Sequence, residues 1–491
     1  MRVMWRGPLI VLALALLAHL VGVLLPISPQ PSDPAVASLS LRFRERVVAS
    51  SGLAISSTGS FFRDRDMVFW WRFADNFGAN PSTPYMFNAL PLLGCLLPSP
   101  IWGLGARDAV VLLARVPPPC EYWSLTVYAM FMPRQPPLPF ASLGDSVNMM
   151  NVKQHDGLFA HVITANQRTY DLVEEALVAS GLPASAINLA AVPSGLGLFD
   201  DVMHLVGQVR LGTYFEALAR LYKFANQTEG DAYIHSHPPV FYLRAEHDED
   251  EWLPASTSPG YRSRSHPESA DEAPLAPAFE AHGRQVVQRI GEALRTSRTP
   301  THTLANEVTF AALKFKGLEC LQKRTKCLGD GPDAAYFAPN VHEDNDAMEL
   351  LQLATKDEIH VVTLVHHRLQ NTAIYGSIAM VKPWRPHLPT LSKTLMAVLG
   401  TSIGVTSLDF PHTASRFVTW VFTRNAAHCA QLMEGGVLPV VDGCSVVDEA
   451  DVPHHGYLTY CERVYLNPKT GLGPEWDKLL PARLYHVQLH S

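Results

Sequence analysis

The chain has 491 residues, 47% of them apolar and 17% charged, which is too much material for one hydrophobic core and too apolar for a disordered chain. Its 39 basic and 46 acidic side chains leave a net charge of −7, so the broad cationic surface that nucleic-acid binding requires is missing. Collagen, coiled coil, polytopic membrane protein and small disulfide scaffold are excluded by the same composition.

Arg2 and Arg6 precede an apolar stretch from Leu9 to Leu25, and after a polar, Pro-rich spacer comes the small-x-small triplet Ala35-Val36-Ala37. This predicts a signal peptide over residues 1–37 with cleavage near Ala37, or an uncleaved single-pass anchor. The expected address is secreted, in the secretory-pathway lumen, or membrane-anchored. From 39 to 245, the runs DAVVLLARV, EYWSLTVYAMFM, FASLGDSVNMMNV, LFAHVITA and PVFYLRAE read as strands. In EYWSLTVY, Tyr122, Ser124, Thr126 and Tyr128 alternate with Trp123, Leu125 and Val127, and the second set suits a core. TYDLVEEALVASG places Leu172, Val173, Ala176 and Leu177 on one helical stripe and stops at Gly181.

Residues 246–281 are dense in Pro, Ser and charge and read as a linker. Over 282–491, GRQVVQRIGEALRTS, ANEVTFAALKFKGLECLQK and LSKTLMAVLG carry helical patterns. EIHVVTLVHHRL, YGSIAMVKP, RFVTWVFTRN and GYLTYCERVYLNP read as strands. The expected fold class is α+β: two β-rich domains of antiparallel sheets or sandwiches with a few packed helices. No internal repeat of fixed period emerges, although each half pairs aromatic-rich strands. The seven cysteines include Cys320 and Cys327 close together and Cys429, Cys444 and Cys461 as a group, spacings that allow local bridges in an oxidising compartment. Asn226-Gln227-Thr228 is a glycosylation sequon.

Four groups carry candidate chemistry. In FASLGDSVN a strand runs into Gly144-Asp145-Ser146, and Asp451-Val452-Pro453-His454 lies late in the chain. Together they resemble the opening and closing blocks of the GDSL, or SGNH, hydrolases, which implies Ser146 as nucleophile, His454 as general base and Asp451 as its orienter in the hydrolysis of an ester or acyl bond. No Gly-x-Asn oxyanion block accompanies them. His235 and His237, spaced by two on an expected strand, resemble the HSHP core of JAMM metalloproteases, but Glu246 and Glu249 stand where that family needs serine and aspartate. The histidines His360, His366, His367, His412, His454 and His455 form a third group, suited to metal binding or acid–base work if their strands adjoin. The fourth is the aromatic segment from Phe61 to Tyr85, in which Trp70, Trp71 and Phe73 are the candidate contacts for an apolar or carbohydrate ligand.

No cofactor and no resident metal are assigned, and the partner expected is a small-molecule ligand or substrate. The strand Tyr122–Tyr128 and the later Ser142–Asp145 are also similar to an uncharacterised bacterial domain family whose members carry strands close to FWSLTVYD and NRYSIGD. That resemblance implies an extracytoplasmic, β-sandwich-like domain with no established reaction. Three functions therefore stand open: a serine hydrolase, a non-catalytic binding protein, and a His-coordinated metalloenzyme.

Overall fold

Long antiparallel pairings organise the chain into two curled, mixed sheets with six helices among the described residues, an α+β architecture with two β-rich parts. The structure is a computed structural model. It describes residues 31–50, 52–63, 85–91, 98–132, 139–196, 198, 212–247, 251–253, 262–294, 302–325, 327, 329–339, 351–383, 400–403, 416–434, 442–449, 452–454 and 456–489. No described helix is long and apolar enough to cross a membrane.

The first unit holds the described residues of Met1–Trp71, Pro84–Arg262 and Phe315–Asp330; the second holds those of Ser263–Lys314 and Gly331–Ser491. The sequence places a linker over 246–281, whereas the contacts divide the chain between Arg262 and Ser263. Within that stretch Glu272 is fully buried and a helix already opens at Ala276, so its latter part is folded into the second unit.

Strands of the first unit are β1 (Leu53–Arg63), β2 (Tyr85–Pro91), β3 (Pro98–Ser99), β4 (Trp102–Gly103), β5 (Ala109–Arg115) and β6 (Cys120–Phe131). They continue with β7 (Ala141–Ser142), β8 (Val147–Asn148), β9 (Leu158–Thr164), β10 (Ile187–Ala191), β11 (Tyr214–Phe224) and β12 (Pro239–Ala245). Its helices are α1 (Pro34–Ala49), α2 (Gln167–Ala179) and α3 (Gln227–Ile234). Of the buried stripe Val36, Leu39, Phe43 and Val47 of α1, the last three pack with Val173, Ala176 and Leu177 of α2 over one sheet face, and Phe43 meets Phe241 edge-on at 5.3 Å. Each Val, Leu or Phe side chain among these contributes about 1.5–3 kcal/mol when fully buried.

The second unit begins with α4 (Ala276–Ala293), β13 (His302–Ala312), β14 (Ala334–Pro339), β15 (Leu351–Gln352) and β16 (Glu358–Val365). Next come β17 (Tyr375–Pro383), β18 (Gly400–Ile403), β19 (Phe417–Thr423), β20 (Gly443–Val446), β21 (Tyr457–Tyr465) and β22 (Arg483–Leu489). Helix α5 (Gly317–Lys323) lies on the connection from β13 to β14 but belongs to the first unit, and α6 (Ala426–Glu434) precedes β20. The expected helix ANEVTFAALKFKGLECLQK is therefore a strand followed by a short helix. Val308 and Phe310 alternate into a core while β13 pairs with β14 and β22, so period-two burial overrides the helical spacing. LSKTLMAVLG lies outside the described residues except for Gly400, which opens β18.

The two sheets repeat one topology. The first runs β10-β9-β5-β12-β1-β2-β11-β6-β7, and the second, read from its other end, runs β20-β19-β16-β22-β13-β14-β21-β17-β18. Taking each strand with its counterpart gives the same neighbours in the same chain order. Both sheets are antiparallel except for one parallel pair, β9 with β10 and β19 with β20. The details agree: β1 and β13 carry a bulge after their third paired residue, at Ile55/Ser57 and Leu304/Asn306. Lys223, next to last in β11, and Leu466, just after β21, share a left-handed backbone conformation (φ 50° and 53°). Asn166 caps α2 and Asn425 caps the start of α6 after Thr164 and Thr423, which themselves accept the amides of Val192 and Val447. The sequence shows no fixed period because loops of unequal length separate these shared positions.

Candidate functional site

Both faces of β6 are buried, not only the Trp123 face. On the other face Arg220 of β11 donates to Thr126 Oγ1 (3.1 Å) and to the Tyr128 hydroxyl (2.5 Å), and its guanidinium lies over the rings of Tyr85 and Tyr128. Tyr122 and Ser124 share a hydrogen bond of 2.7 Å. On the same row stands Glu216, whose carboxyl burial pushes up to about 8 against the pull of Arg220. A carboxyl held that high is neutral at pH 7 and able to donate a proton.

The second unit repeats part of this row. Tyr336, Tyr375, Ser377, Arg463 and Tyr465 occupy the register positions of Tyr85, Tyr122, Ser124, Arg220 and Tyr222. Thr126, Tyr128 and Glu216 have Ala379, Val381 and Thr459 as counterparts. What both copies keep serves the shared sheet; Glu216, Thr126 and Tyr128 are particular to the first unit.

On β7, which pairs with β6 at Tyr128, docks the arm Phe315–Asp330, closed by the Cys320–Cys327 disulfide. Asp330 accepts from the amide and hydroxyl of Ser142 at 2.8 and 2.6 Å and from the amide of Gly317 at 2.9 Å, all three bonds buried. FASLGDSVN is thus a docking strip: Ser142 receives the arm, Asp145 pairs with Arg262 at 2.7 Å, and the Ser146 hydroxyl, 1% exposed, bonds to Thr126 Oγ1 at 2.7 Å. A Cβ on Gly317 would lie 2.1 Å from the Ser142 carbonyl oxygen. Gly317→Ala is accordingly expected to loosen the arm and raise its amide-exchange and proteolysis rates at least tenfold, while exchange in the α1–α2 core stays unchanged. Equal arm protection in the variant would contradict this docking.

Beside the arm is a cavity of about 250 Å³, walled by Met132, Leu196, Leu318 and Leu321 with Arg324 among its lining. Arg324 is exposed, takes a left-handed backbone (φ 56°), and makes no ion pair among the described residues.

The other sequence candidates fall elsewhere. His454 belongs to the second unit, where Nδ1 bonds to the Ala354 carbonyl (2.9 Å) and Nε2 lies 3.4 Å from Glu449. Asp451, His412, His455, Trp70, Trp71 and Phe73 lie outside the described residues. Among the described residues, the hydrogen-bond partner of the Ser146 hydroxyl is Thr126. His235 and His237 are not on a strand: His235 ends α3 and bonds to the Asp231 carbonyl, while His237 sits in a left-handed turn against Phe62. The sequon residue Asn226 uses its carboxamide oxygen to cap α3.

In the second unit His360 is buried, bonded through Nδ1 to the Tyr460 hydroxyl (2.8 Å) and 4.9 Å from the His486 ring. His367 is also buried, with Nδ1 at 2.7 Å from Glu272 and Nε2 at 3.0 Å from Glu462. No group of three or more metal-ligating side chains suited to a metal occurs among the described residues. Cys429 and Cys444 form a second disulfide, while Cys120 and Cys461 are free thiols.

Sequence reasoning missed Glu216, Arg220, Asp330 and the Glu272–His367–Glu462 triad. A charged residue within the apolar run YFEALARLYKF was the available signal for the first two, since a buried strand carries charge only where a partner waits. Glu272 gave none, lying in what reads as linker.

No family model matches the chain, and no curated protein matches it. A solved structure of an uncharacterized protein from Burkholderia cenocepacia aligns over 96% of this chain and 93% of its own, with 12% identity and a TM-score of 0.36. So loose a likeness carries nothing about function.

Proposed function

We propose that the protein is an exported binding protein that holds a small amphipathic anion in the cavity beside the disulfide-closed arm of the first unit. The observation that carries this reading is the pairing of apolar walls with an arginine: Met132, Leu318 and Leu321 suit a short hydrocarbon part, and Arg324 suits a carboxylate. Export is supported by the basic-then-apolar start of the chain and by two disulfides. The resemblance of Tyr122–Tyr128 to an extracytoplasmic domain family without an established reaction agrees with a binding role. Hydrolysis draws less support, because the Ser146 hydroxyl is buried and engaged by Thr126 instead of an imidazole.

Calorimetric titration of the purified protein with straight-chain carboxylates of increasing length tests the reading. Saturable binding is expected, weakened at least tenfold by Arg324→Glu and removed by Leu321→Trp, which fills the cavity. Silence across every chain length would overturn it. Short-chain nitrophenyl esters give the complementary result: a turnover lost in Ser146→Ala would restore the hydrolase in its place.

A further inference from the structure

We propose that Ser32–Ala37 belong to the mature folded protein, so that any removal of the leader falls before Ser32 and not after Ala37. The triplet Ala35-Val36-Ala37 has the small side chains that signal peptidase accommodates, yet in the structure it forms the first turn of α1. Its cap is built by the residues just ahead of it. Asp33 accepts from the amides of Ala35 (2.8 Å) and Val36 (3.0 Å), and its second carboxyl oxygen meets Arg115 Nε at 2.6 Å. The Ser32 amide donates to the Ser236 carbonyl, and Val36 is 3% exposed. Burial raises the Asp33 carboxyl, but Arg115 and the two amides together hold it below the usual carboxylate range. Cleavage after Ala37 would remove the cap, the ion pair and the first buried residue of the stripe on which Leu39, Phe43 and Val47 follow.

The second unit supplies independent support, because it builds the same joint from different residues. Its first helix, α4, is also preceded by an acid, Glu272, whose amide donates to the Lys478 carbonyl shortly before β22, as Ser32 donates shortly before β12. The Glu272 carboxylate is held by His367, just after β16; Arg115, which holds Asp33, ends the counterpart strand β5. Both repeats therefore fasten the entry to their first helix with an acid caught by a cation at the end of the same strand. Loss of Ser32–Ala37 would delete from one copy a joint that the other keeps.

Expression of the full chain through a secretory host, followed by N-terminal sequencing and intact mass of the purified protein, tests this. The expected first residue is Ser32 or any residue before it. A first residue at Asp33 or beyond overturns the proposal. A second measurement covers a chain that is not processed at all: Asp33→Ala and Arg115→Ala should each lower the melting temperature by about 2–4 °C, and the double variant by little more than either. Wild-type melting in both single variants would show that the joint is dispensable and would likewise overturn it.

Discussion

Replacement of His367 by alanine is expected to destabilise the second unit by about 3–5 kcal/mol, read as a lowered denaturant midpoint together with faster amide exchange in β16 and β21. The size follows from what remains. Glu272 and Glu462 are both fully buried, and the imidazole between them is their shared cation. Their other oxygens are already used, that of Glu272 by the Leu480 amide and that of Glu462 by the Ala482 amide, while the Thr372 hydroxyl shares with His367 the near oxygen of Glu272. Without His367 two buried carboxylates face each other across a cavity. The triple variant His367→Leu, Glu272→Gln, Glu462→Gln is expected to recover part of the loss, since it is unpaired burial and not the missing contacts that dominates.

The same triad sets a pH dependence of definite sign. Burial opposes protonation of His367, but the two carboxylates outweigh it and push the imidazole up to about 10. A histidine raised in the fold contributes fully below its unfolded value of about 6.5 and loses that contribution as pH climbs toward its folded value. Wild-type stability should therefore fall between about pH 6.5 and 10, at up to about 1.4 kcal/mol per unit. His367→Ala should lack this slope, and an identical alkaline slope in the variant would remove the triad as its cause.

Strands and helices were legible where one buried face dictated the pattern. DAVVLLARV, LFAHVITA and PVFYLRAE are β5, β9 and β12, and the Val173-Ala176-Leu177 stripe is the buried side of α2. EYWSLTVY was legible only by half: its polar set is buried too, because Tyr122 and Ser124 bond to each other while Arg220 and Ser146 meet Thr126 and Tyr128, and of these partners the strand's own pattern gives no trace of Arg220 or Ser146. Gly144-Asp145-Ser146 reads as a nucleophile turn because spacing is blind to whether a hydroxyl faces a cleft or a threonine. The repeated topology was hidden for a related reason. It is carried by pairing register, a bulge and a left-handed residue that is Lys223 in one copy and Leu466 in the other, so backbone conformation is shared where side chains are not.

That division between shared and particular positions also locates the acid sensitivity of the molecule. Within the paired strands two histidines are buried at places where the opposite copy has no imidazole: His161, whose counterpart is Trp420, and His360, whose counterpart is Val110. His161 lies between Leu112 and Asn188 with neither ring nitrogen hydrogen-bonded, and burial draws it down to about 4. Burial, with the neighbouring His486 adding to it, draws His360 down to about 3. A histidine depressed in the fold contributes stability that is present above about pH 6.5 and lost as pH falls, because the unfolded chain takes up protons that the fold refuses. Each should withdraw about 3 kcal/mol by pH 4, opposite in sign and in pH range to His367. Denaturant midpoints at pH 7 and pH 4.5 measure this. His161→Leu should flatten the acid loss of the first unit alone, and His360→Val with Tyr460→Phe, which removes the hydroxyl left without its partner, that of the second. If both variants lose as much stability on acidification as the wild type, carboxylates and not these imidazoles govern the acid limb.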